Sequence, residues 1–173
     1  MVDDLIDLNI RPARVEDARG IAEAHIAAWR QAYADVVAES YLANLDVEAR
    51  TAQWAEILEN PAPRTRVLVA EEDGAVAGFA MIGPSRDEDA ELGGLEIYSI
   101  YLQPEAWGHG VARELMRTIL AEVPSEVPVT LWVLAANARA RHFYRRHGFT
   151  PDGVERLDPI GEENHLEVRY RRN

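Results

Sequence analysis

The spacing of apolar residues changes along the chain, and this change predicts the order of the secondary-structure elements. Apolar positions recur every three or four residues in four stretches, which is typical of helices with a buried face. The predicted helices span residues 16–37, 40–59, 111–122 and 137–147, the second with a break near Asp46. Alternating or continuous apolar runs bounded by turn residues indicate seven strands. The predicted strands span residues 8–11, 66–70, 75–82, 95–102, 129–134, 149–155 and 165–172.

This order of elements predicts a three-layer domain of the α/β or α+β class. An antiparallel meander leads into a strand–helix–strand crossover through helix 111–122, and a further helix and two strands follow. Three turn-rich segments are too short to separate domains: residues 60–63, 84–94 and 123–128. We therefore expect a single domain over residues 1–173.

The composition excludes several chemistries. The chain has no cysteine, which removes disulfides, thiolate nucleophiles and zinc–cysteine sites. All 18 of its basic residues are arginines, so a Schiff-base lysine and a Walker A lysine are both absent. The net charge of −12 disfavours binding to nucleic acid, and solubility is the plainer explanation of that charge. Residues 1–10 lack the basic region of a signal peptide, and no apolar run reaches the ~18–20 residues of a membrane span, so we expect a cytoplasmic protein without a membrane partner.

The segment 103–113 joins the strongest predicted strand to the most apolar helix. Gly108 and Gly110 allow the backbone to turn with several N–H groups on one side, and the helix that follows adds its own unpaired N–H groups. Such a loop can bind a phosphate or pyrophosphate, although a plain strand–helix turn has the same sequence. A dinucleotide-binding fingerprint would need a small residue in place of Arg113, so that reading is excluded.

A second group of candidate residues lies on the helix predicted over 137–147. Asn137 and Tyr144 are seven residues apart and therefore lie on the same side of it. Each has an ordinary structural role open to it, Asn137 as the helix N-cap and Tyr144 as a core aromatic residue. His142 and His147 do not share a helical face, so they do not predict a metal site.

Together these segments closely resemble the acetyl-CoA-binding core of the GNAT superfamily of N-acetyltransferases. The resemblance rests on Trp107-Gly-His-Gly-Val-Ala112, on the buried strand after it, and on Asn137, Tyr144 and Gly148-Phe149. The beginning of the chain is also similar, through Ile10-Arg-Pro-Ala13, Asp17, Trp29 and Tyr33. Trp107 departs from the Gln or Arg usual in the family, and Trp132 stands where members that acetylate ribosomal-protein N-termini carry a glutamate base.

The resemblance implies the GNAT fold, a central mixed and mostly antiparallel sheet of about seven strands flanked by helices. It also implies acetyl-CoA as co-substrate, lying between strands 95–102 and 129–134. The residues expected to bind acetyl-CoA are Ile100, Tyr101, Leu102, Trp107, Gly108, His109, Gly110, Val111, Ala112, Arg113 and Asn137. The arginines of helix 137–147 are more typical of a solvated face, and the 3′-phosphate of the co-substrate is the alternative.

Acetyl transfer to an amine needs a proton donor for the leaving thiolate and an acceptor for the proton of the amine. Tyr144 is the candidate acid, because a phenol is only about 1.5 pKa units less acidic than a thiol. Glu96 is the candidate base, because strand alternation places it on the side of Ile100, although a surface carboxylate is the plain alternative. Trp29 and Tyr33 are expected either to line the amine pocket or to pack in the core.

These observations predict direct acetyl transfer from acetyl-CoA to the primary amine of a small molecule or, second, of a peptide or protein. A non-catalytic acyl-CoA sensor on the same fold is the alternative, because a fold does not determine an activity. The sequence leaves open whether the protein forms a homodimer.

Overall fold

The computed structural model describes residues 7–173, which form one seven-stranded sheet with helices on both faces. The strands are β1 (Leu8–Pro12), β2 (Arg66–Glu72), β3 (Ala75–Pro84), β4 (Leu95–Leu102), β5 (Val129–Leu134), β6 (Thr150–Ile160) and β7 (Glu163–Arg172). The helices are α1 (Ala18–Ala32), α2 (Glu39–Ala43), α3 (Val47–Glu59), α4 (Val111–Ala121) and α5 (Ala138–Arg146). No helix within this part of the chain has both the length and the apolar content needed to cross a bilayer.

The sheet has the strand order β1-β2-β3-β4-β5-β7-β6. Every neighbouring pair is antiparallel except β4 and β5, which are parallel and joined by the crossover through α4. Helices α4 and α5 pack on one face, around Leu115 and Phe149, whereas α1 and α3 pack on the other, around Ile21 and Trp54. The predicted mixed, mostly antiparallel sheet in a three-layer domain is therefore confirmed.

The first helical region is shorter and more broken than its apolar spacing predicts. Helix α1 ends at Ala32, because the chain leaves the helical conformation at Tyr33 (φ −115°) and turns back through bonds from the N–H groups of Val36 and Val37 to the Tyr33 carbonyl. The predicted break near Asp46 is confirmed: the Asp46 carboxylate accepts the N–H groups of Glu48 and Ala49 and so caps α3.

The last two strands form a hairpin longer than the sequence predicts. Strand β6 continues to Ile160, although it contains Pro151 and Pro159. Both prolines are tolerated because β6 lies at the edge of the sheet, where a missing N–H leaves no neighbouring strand unpaired.

Strands β4 and β5 separate soon after they meet. Their parallel pairing covers only Leu95–Ile97 against Val129–Leu131. Beyond Ile97 the two strands diverge, while each remains paired with its other neighbour, β3 or β7. The sheet therefore has an opening in its middle, directly before the loop that leads into α4.

Candidate active site

A cavity of about 810 Å³ occupies the opening between β4 and β5. Its walls are the diverging halves of the two strands, the N-terminal end of α4, the inner side of α5 and the last turn of α1. Fourteen of the predicted site residues line it: Trp29, Tyr33, Ile100, Tyr101, Leu102, Trp107, Gly108, His109, Gly110, Val111, Ala112, Arg113, Asn137 and Tyr144. The exception is Glu96. A volume of this size suits an elongated ligand rather than a single small anion.

The N-terminal end of α4 presents a run of free backbone donors to this cavity. Gly108 and Gly110 both have positive φ values, of 84° and 79°, which turn successive N–H groups in one direction. No side chain caps the helix, and the backbone N–H groups of residues 108–113 donate to no oxygen of the described chain. The partial positive charge of the helix end adds to these donors, so the loop is suited to a phosphate or pyrophosphate.

Trp107 and Arg139 connect the two sides of the cavity near this loop. The Arg139 guanidinium lies 4.1 Å from the centre of the Trp107 ring, a cation–π contact between the α4 loop and the first turn of α5. Arg113 and Arg146 also line the cavity, from α4 and α5. This side therefore carries positive charge. His109, which also lines the cavity, has its Nδ1 3.7 Å from the Glu72 carboxylate.

Asn137 performs its structural role and also faces the cavity. Its Oδ1 accepts the Ala140 N–H at 3.1 Å and so caps α5, while its Nδ2 lies 3.4 Å from the Tyr33 hydroxyl. Helix α5 ends at Arg146, and the positive φ of Gly148 turns the chain so that the Phe149 N–H bonds to the Tyr144 carbonyl. Both ends of the helix are thus held, which fixes the Tyr144 side chain against the cavity.

The tyrosine hydroxyls around the cavity are all held in the protonated form. Burial raises the pKa of Tyr144 well above its usual range, and it does the same for Tyr101 and Tyr33. The charge of an ionised Tyr33 would also raise the pKa of Tyr101 and of Tyr144, whereas hydrogen bonds with Asn137 and Tyr101 oppose the rise in the pKa of Tyr33 itself. A hydroxyl that stays protonated at neutral pH can donate a hydrogen bond or a proton, which is the requirement for a general acid.

The α1 side of the cavity is aromatic. Trp29 and Tyr33, one helical turn apart, meet edge to face with ring centres 4.7 Å apart. Behind them His25 stacks on Tyr101, with ring centres 5.0 Å apart and planes inclined by 12°. Trp29 and Tyr33 therefore pack in an aromatic cluster and also line the cavity.

The prediction that Glu96 faces the same side as Ile100 is wrong. Met81 lies opposite Ser99 and Ile82 lies opposite Ile97, so Tyr98 is an extra residue that forms a β-bulge in β4. A bulge reverses the alternation of side chains, which puts Glu96 and Ile100 on opposite faces of the sheet.

Glu96 is instead a buried structural residue. It is 1% exposed, and its carboxylate accepts the Arg86 guanidinium at 2.6 Å and the Arg86 backbone N–H at 3.1 Å. A carboxylate held in this way, outside the cavity, does not reach an amine bound inside it. Glu96 is therefore not placed to act as the base.

Two carboxylates of the C-terminal hairpin line the cavity and were missed in the sequence. They are Asp158 on β6 and Glu167 on β7. Burial raises the pKa of Glu167, and the hydrogen bond from Arg156 opposes that effect. Glu167 lies in a strand that the sequence predicted, whereas Asp158 lies in the part of β6 beyond its predicted end at residue 155. The missing information was the position of β7 next to β5, which no local pattern shows.

The family follows from comparison with known sequences. A sequence model described as the Acetyltransferase (GNAT) family matches residues 25–149, which contain the α4 loop, Asn137 and Tyr144. The chain belongs to the GNAT acetyltransferase family. An uncharacterised N-acetyltransferase of Mycobacterium tuberculosis is 33% identical to this GNAT chain over 138 residues, which are 77% of this chain and 84% of the relative.

Solved structures show the same GNAT fold. The PaiA N-acetyltransferase of Thermoplasma acidophilum, in complex with coenzyme A, has a TM-score of 0.72 at 18% identity, covering 97% of this chain and 99% of that one. The acetyltransferase YncA of Salmonella typhimurium, with its cofactor acetyl-CoA, has a TM-score of 0.70 at 22% identity, covering 95% and 92%. At these identities the likeness establishes the fold alone.

Proposed function

We propose that this GNAT acetyltransferase, acting as a single domain over residues 1–173, transfers an acetyl group directly from acetyl-CoA to a primary amine of a small molecule or a peptide. The observation that carries the proposal is the run of free N–H groups from Gly108 to Arg113, which opens onto the cavity that Tyr144 also lines. Without a thiolate nucleophile in the chain, direct transfer within a ternary complex is the simplest route.

The residues around the cavity fit acetyl-CoA by chemistry as well as by size. The N–H groups of residues 108–113 would hold the pyrophosphate, and Arg113, Arg139 and Arg146 would add positive charge beside it. The free edge of β4 at Ile100–Leu102 would hold the pantetheine arm through backbone hydrogen bonds. Acetyl-CoA, when bound, supplies the activated thioester.

Two groups of the chain would act on the reacting atoms. A backbone N–H near Ile100 would donate to the developing oxyanion, and one preorganised donor of this kind lowers a barrier by about 3–4 kcal/mol. Tyr144 would give its proton to the leaving thiolate. A phenol and a thiol in water differ by about 1.5 pKa units, roughly 2 kcal/mol. The burial that raises the pKa of Tyr144 would also raise the pKa of a thiol in the same cavity, so this difference stays small.

The proposal is tested by two measurements on the intact protein. Titration calorimetry with coenzyme A and acetyl-CoA should show one site, which the variant Gly110→Val should weaken. Thiol release from acetyl-CoA should then be measured across a library of primary amines. Tight binding of acetyl-CoA without turnover of any amine would favour the sensor alternative, and no binding of coenzyme A would refute the proposal.

A further inference from the structure

The exclusion of Glu96 leaves the reaction without an identified base, and the C-terminal hairpin places another carboxylate, Glu167, at the cavity. Glu167 lies opposite Leu134 in the β5–β7 register, next to the point where β5 has left β4. Leu134 packs with Tyr33, so Glu167 is on the face of the sheet that carries α1. Its side chain is 12% exposed and lines the cavity.

Only one of the two Glu167 carboxylate oxygens has a hydrogen-bond partner among the described residues. Oε1 accepts the Nε–H of Arg156 at 2.8 Å, and no other hydrogen bond reaches the carboxylate from residues 7–173. Arg156 does not line the cavity, and its guanidinium stacks 4.1 Å from the centre of the Trp132 ring. Arg156 therefore holds one oxygen from behind, and the other is free to meet a ligand in the cavity.

The charges around the cavity are divided between the two faces of the sheet. Arginines line it from α4 and α5, beside the free N–H groups, whereas Glu167 and Asp158 line it from the α1 face. The titratable and charged groups acting on Glu167 are Arg156 and Asp158 from β6, Arg86 from the β3–β4 loop, Tyr33 from α1 and Tyr101 from β4. An anionic ligand is therefore favoured on one side and a cationic ligand on the other.

We propose that Glu167 binds the ammonium group of the acceptor and accepts its proton, and that the acceptor is a primary alkylamine without a carboxylate beside the amine. This inference rests on the proposed function. It excludes a carboxylate next to the amine because that group would lie against Glu167 and Asp158, whereas the arginines that line the cavity come from α4 and α5, and Arg156 is already paired with Glu167. Trp29 and Tyr33 would contact the apolar part of such an amine.

The proposed transfer breaks the C–S bond of the thioester, forms the C–N bond of the amide and releases one proton. The acceptor ammonium gives one proton to Glu167, and the neutral nitrogen then forms the C–N bond with the thioester carbonyl carbon. The C–S bond breaks as Tyr144 protonates the sulfur, and the second proton lost from nitrogen restores the Tyr144 hydroxyl. The products are the amide, the free thiol and one proton, which Glu167 releases to water.

The test compares two amines that differ only in whether a carboxylate lies next to the amine. 2-Phenylethylamine and phenylalanine share their ring and carbon chain, but only phenylalanine carries a carboxylate beside the amine. Their binding should be measured by calorimetry at pH 8, with and without coenzyme A. We expect 2-phenylethylamine to bind at least tenfold more tightly than phenylalanine, and Glu167→Gln to weaken its binding at least tenfold.

The matched control is Glu163→Gln, which removes an exposed carboxylate from the same strand. It should leave amine binding unchanged.

In acetyl transfer, Glu167→Gln should lower kcat/KM about 100-fold, because a general base contributes 10²–10⁴-fold. It should also remove the acid limb from the pH profile of kcat/KM. Glu167→Asp keeps the carboxylate and should recover part of the rate, which separates loss of the base from misfolding.

Different results would contradict acetyl transfer from acetyl-CoA, the role of Glu167 and the class of amine. Amine binding that depends on Glu167 while coenzyme A does not bind would refute the proposed function, and with it proton acceptance during transfer, but not the binding of the ammonium group by Glu167. Turnover of amines by Glu167→Gln within threefold of the wild-type rate, with an unchanged pH profile, would overturn only the role of Glu167. Equal binding of phenylalanine and 2-phenylethylamine, or no binding of either by the wild-type protein, would overturn the substrate class.

Discussion

The hydroxyl groups of Tyr33 and Tyr144 approach the cavity from different layers of the molecule. Tyr33 follows α1, Tyr144 lies in α5, and Asn137 links the two helices through its contact with the Tyr33 hydroxyl. Among individual residues, the proposed chemistry depends on which polar side-chain atoms lack a hydrogen-bond partner within the described chain. The side-chain oxygen of Asn137 is used by the helix cap, whereas no hydrogen bond from the described residues engages the Tyr144 hydroxyl.

Tyr144→Phe is expected to lower kcat at least tenfold and to leave the affinity for coenzyme A within twofold. The substitution removes a proton donor without changing the ring that packs against Phe143 and Phe149. Initial rates and calorimetry provide the two measurements. A kcat equal to that of the wild-type protein would show that the thiolate takes its proton from elsewhere. Tyr41→Phe, which lies outside the cavity, is the control.

The buried His25 side chain should make the stability of the protein depend on pH. Its Nδ1 is buried without a hydrogen-bond partner in the described chain, and burial lowers its pKa to about 4. The unfolded chain, with a histidine pKa near 6.5, therefore binds more protons than the folded chain between about pH 6.5 and pH 4, and stability falls as the pH falls through that window.

The expected loss of unfolding free energy from His25 is about 2 kcal/mol between pH 7 and pH 5. Urea unfolding at the two pH values measures it. His25→Gln should remove most of the difference, while His142→Gln, at an exposed histidine, should not. An unchanged pH dependence in His25→Gln would mean that another group causes it.

At the scale of elements, the central feature is a loop whose conformation only glycine adopts easily. Gly108 and Gly110 have positive φ values, and a Cβ atom built on Gly108 would meet no atom within 4 Å. The cost of a side chain at Gly108 is therefore backbone strain alone, about 1–2 kcal/mol. The same strain can be produced far from the cavity, at Gly74 in the β2–β3 hairpin, with φ +82° and equally open space.

Gly108→Ala and Gly74→Ala are expected to lose similar amounts of stability, about 1–2 kcal/mol each. Only Gly108→Ala should weaken coenzyme A binding, by tenfold or more, because it disturbs the N–H groups that face the pyrophosphate. Thermal unfolding and calorimetry on both variants provide the comparison. Equal coenzyme A affinities would place the pyrophosphate away from this loop.

The elements that could be predicted from the sequence are those whose identifying residues lie close together in the chain. The α4 loop and α5 carry their glycines, cap and apolar spacing within short segments, so their residues were found in the sequence and lie together at the cavity. Glu96 was misplaced because the bulge at Tyr98 arises from pairing with β3, which alternation in one strand does not reveal. Glu167 was missed because its environment depends on the insertion of β7 between β5 and β6.

At the scale of the whole molecule, one arginine joins distant parts of the chain. Arg169 on β7 is 7% exposed and contacts Asp89 at 2.6 Å, Asp152 at 2.6 Å and Asp87 at 3.2 Å. It thereby fixes the acidic β3–β4 loop and the start of β6 to the sheet. The partly buried acids among these partners would be left without a counter-charge if Arg169 were removed.

Arg169→Met is expected to lower the unfolding free energy by about 3 kcal/mol, since it leaves the partly buried Asp87 and Asp152 without a counter-charge. Arg66→Met removes an exposed pair with Glu122 and should cost less than about 1 kcal/mol. Urea unfolding gives both values. A loss at Arg169 no larger than that at Arg66 would mean that the freed acids are hydrated at little cost.

The early separation of β4 from β5 bears on how the protein avoids self-association. Unpaired strand edges on an outer surface invite strands of other molecules and lead to aggregation. Here the two free edges face each other between α1, α4 and α5 and do not lie on an outer edge of the sheet. The molecule can therefore keep a stretch of backbone ready for an extended ligand without lengthening its outer edges.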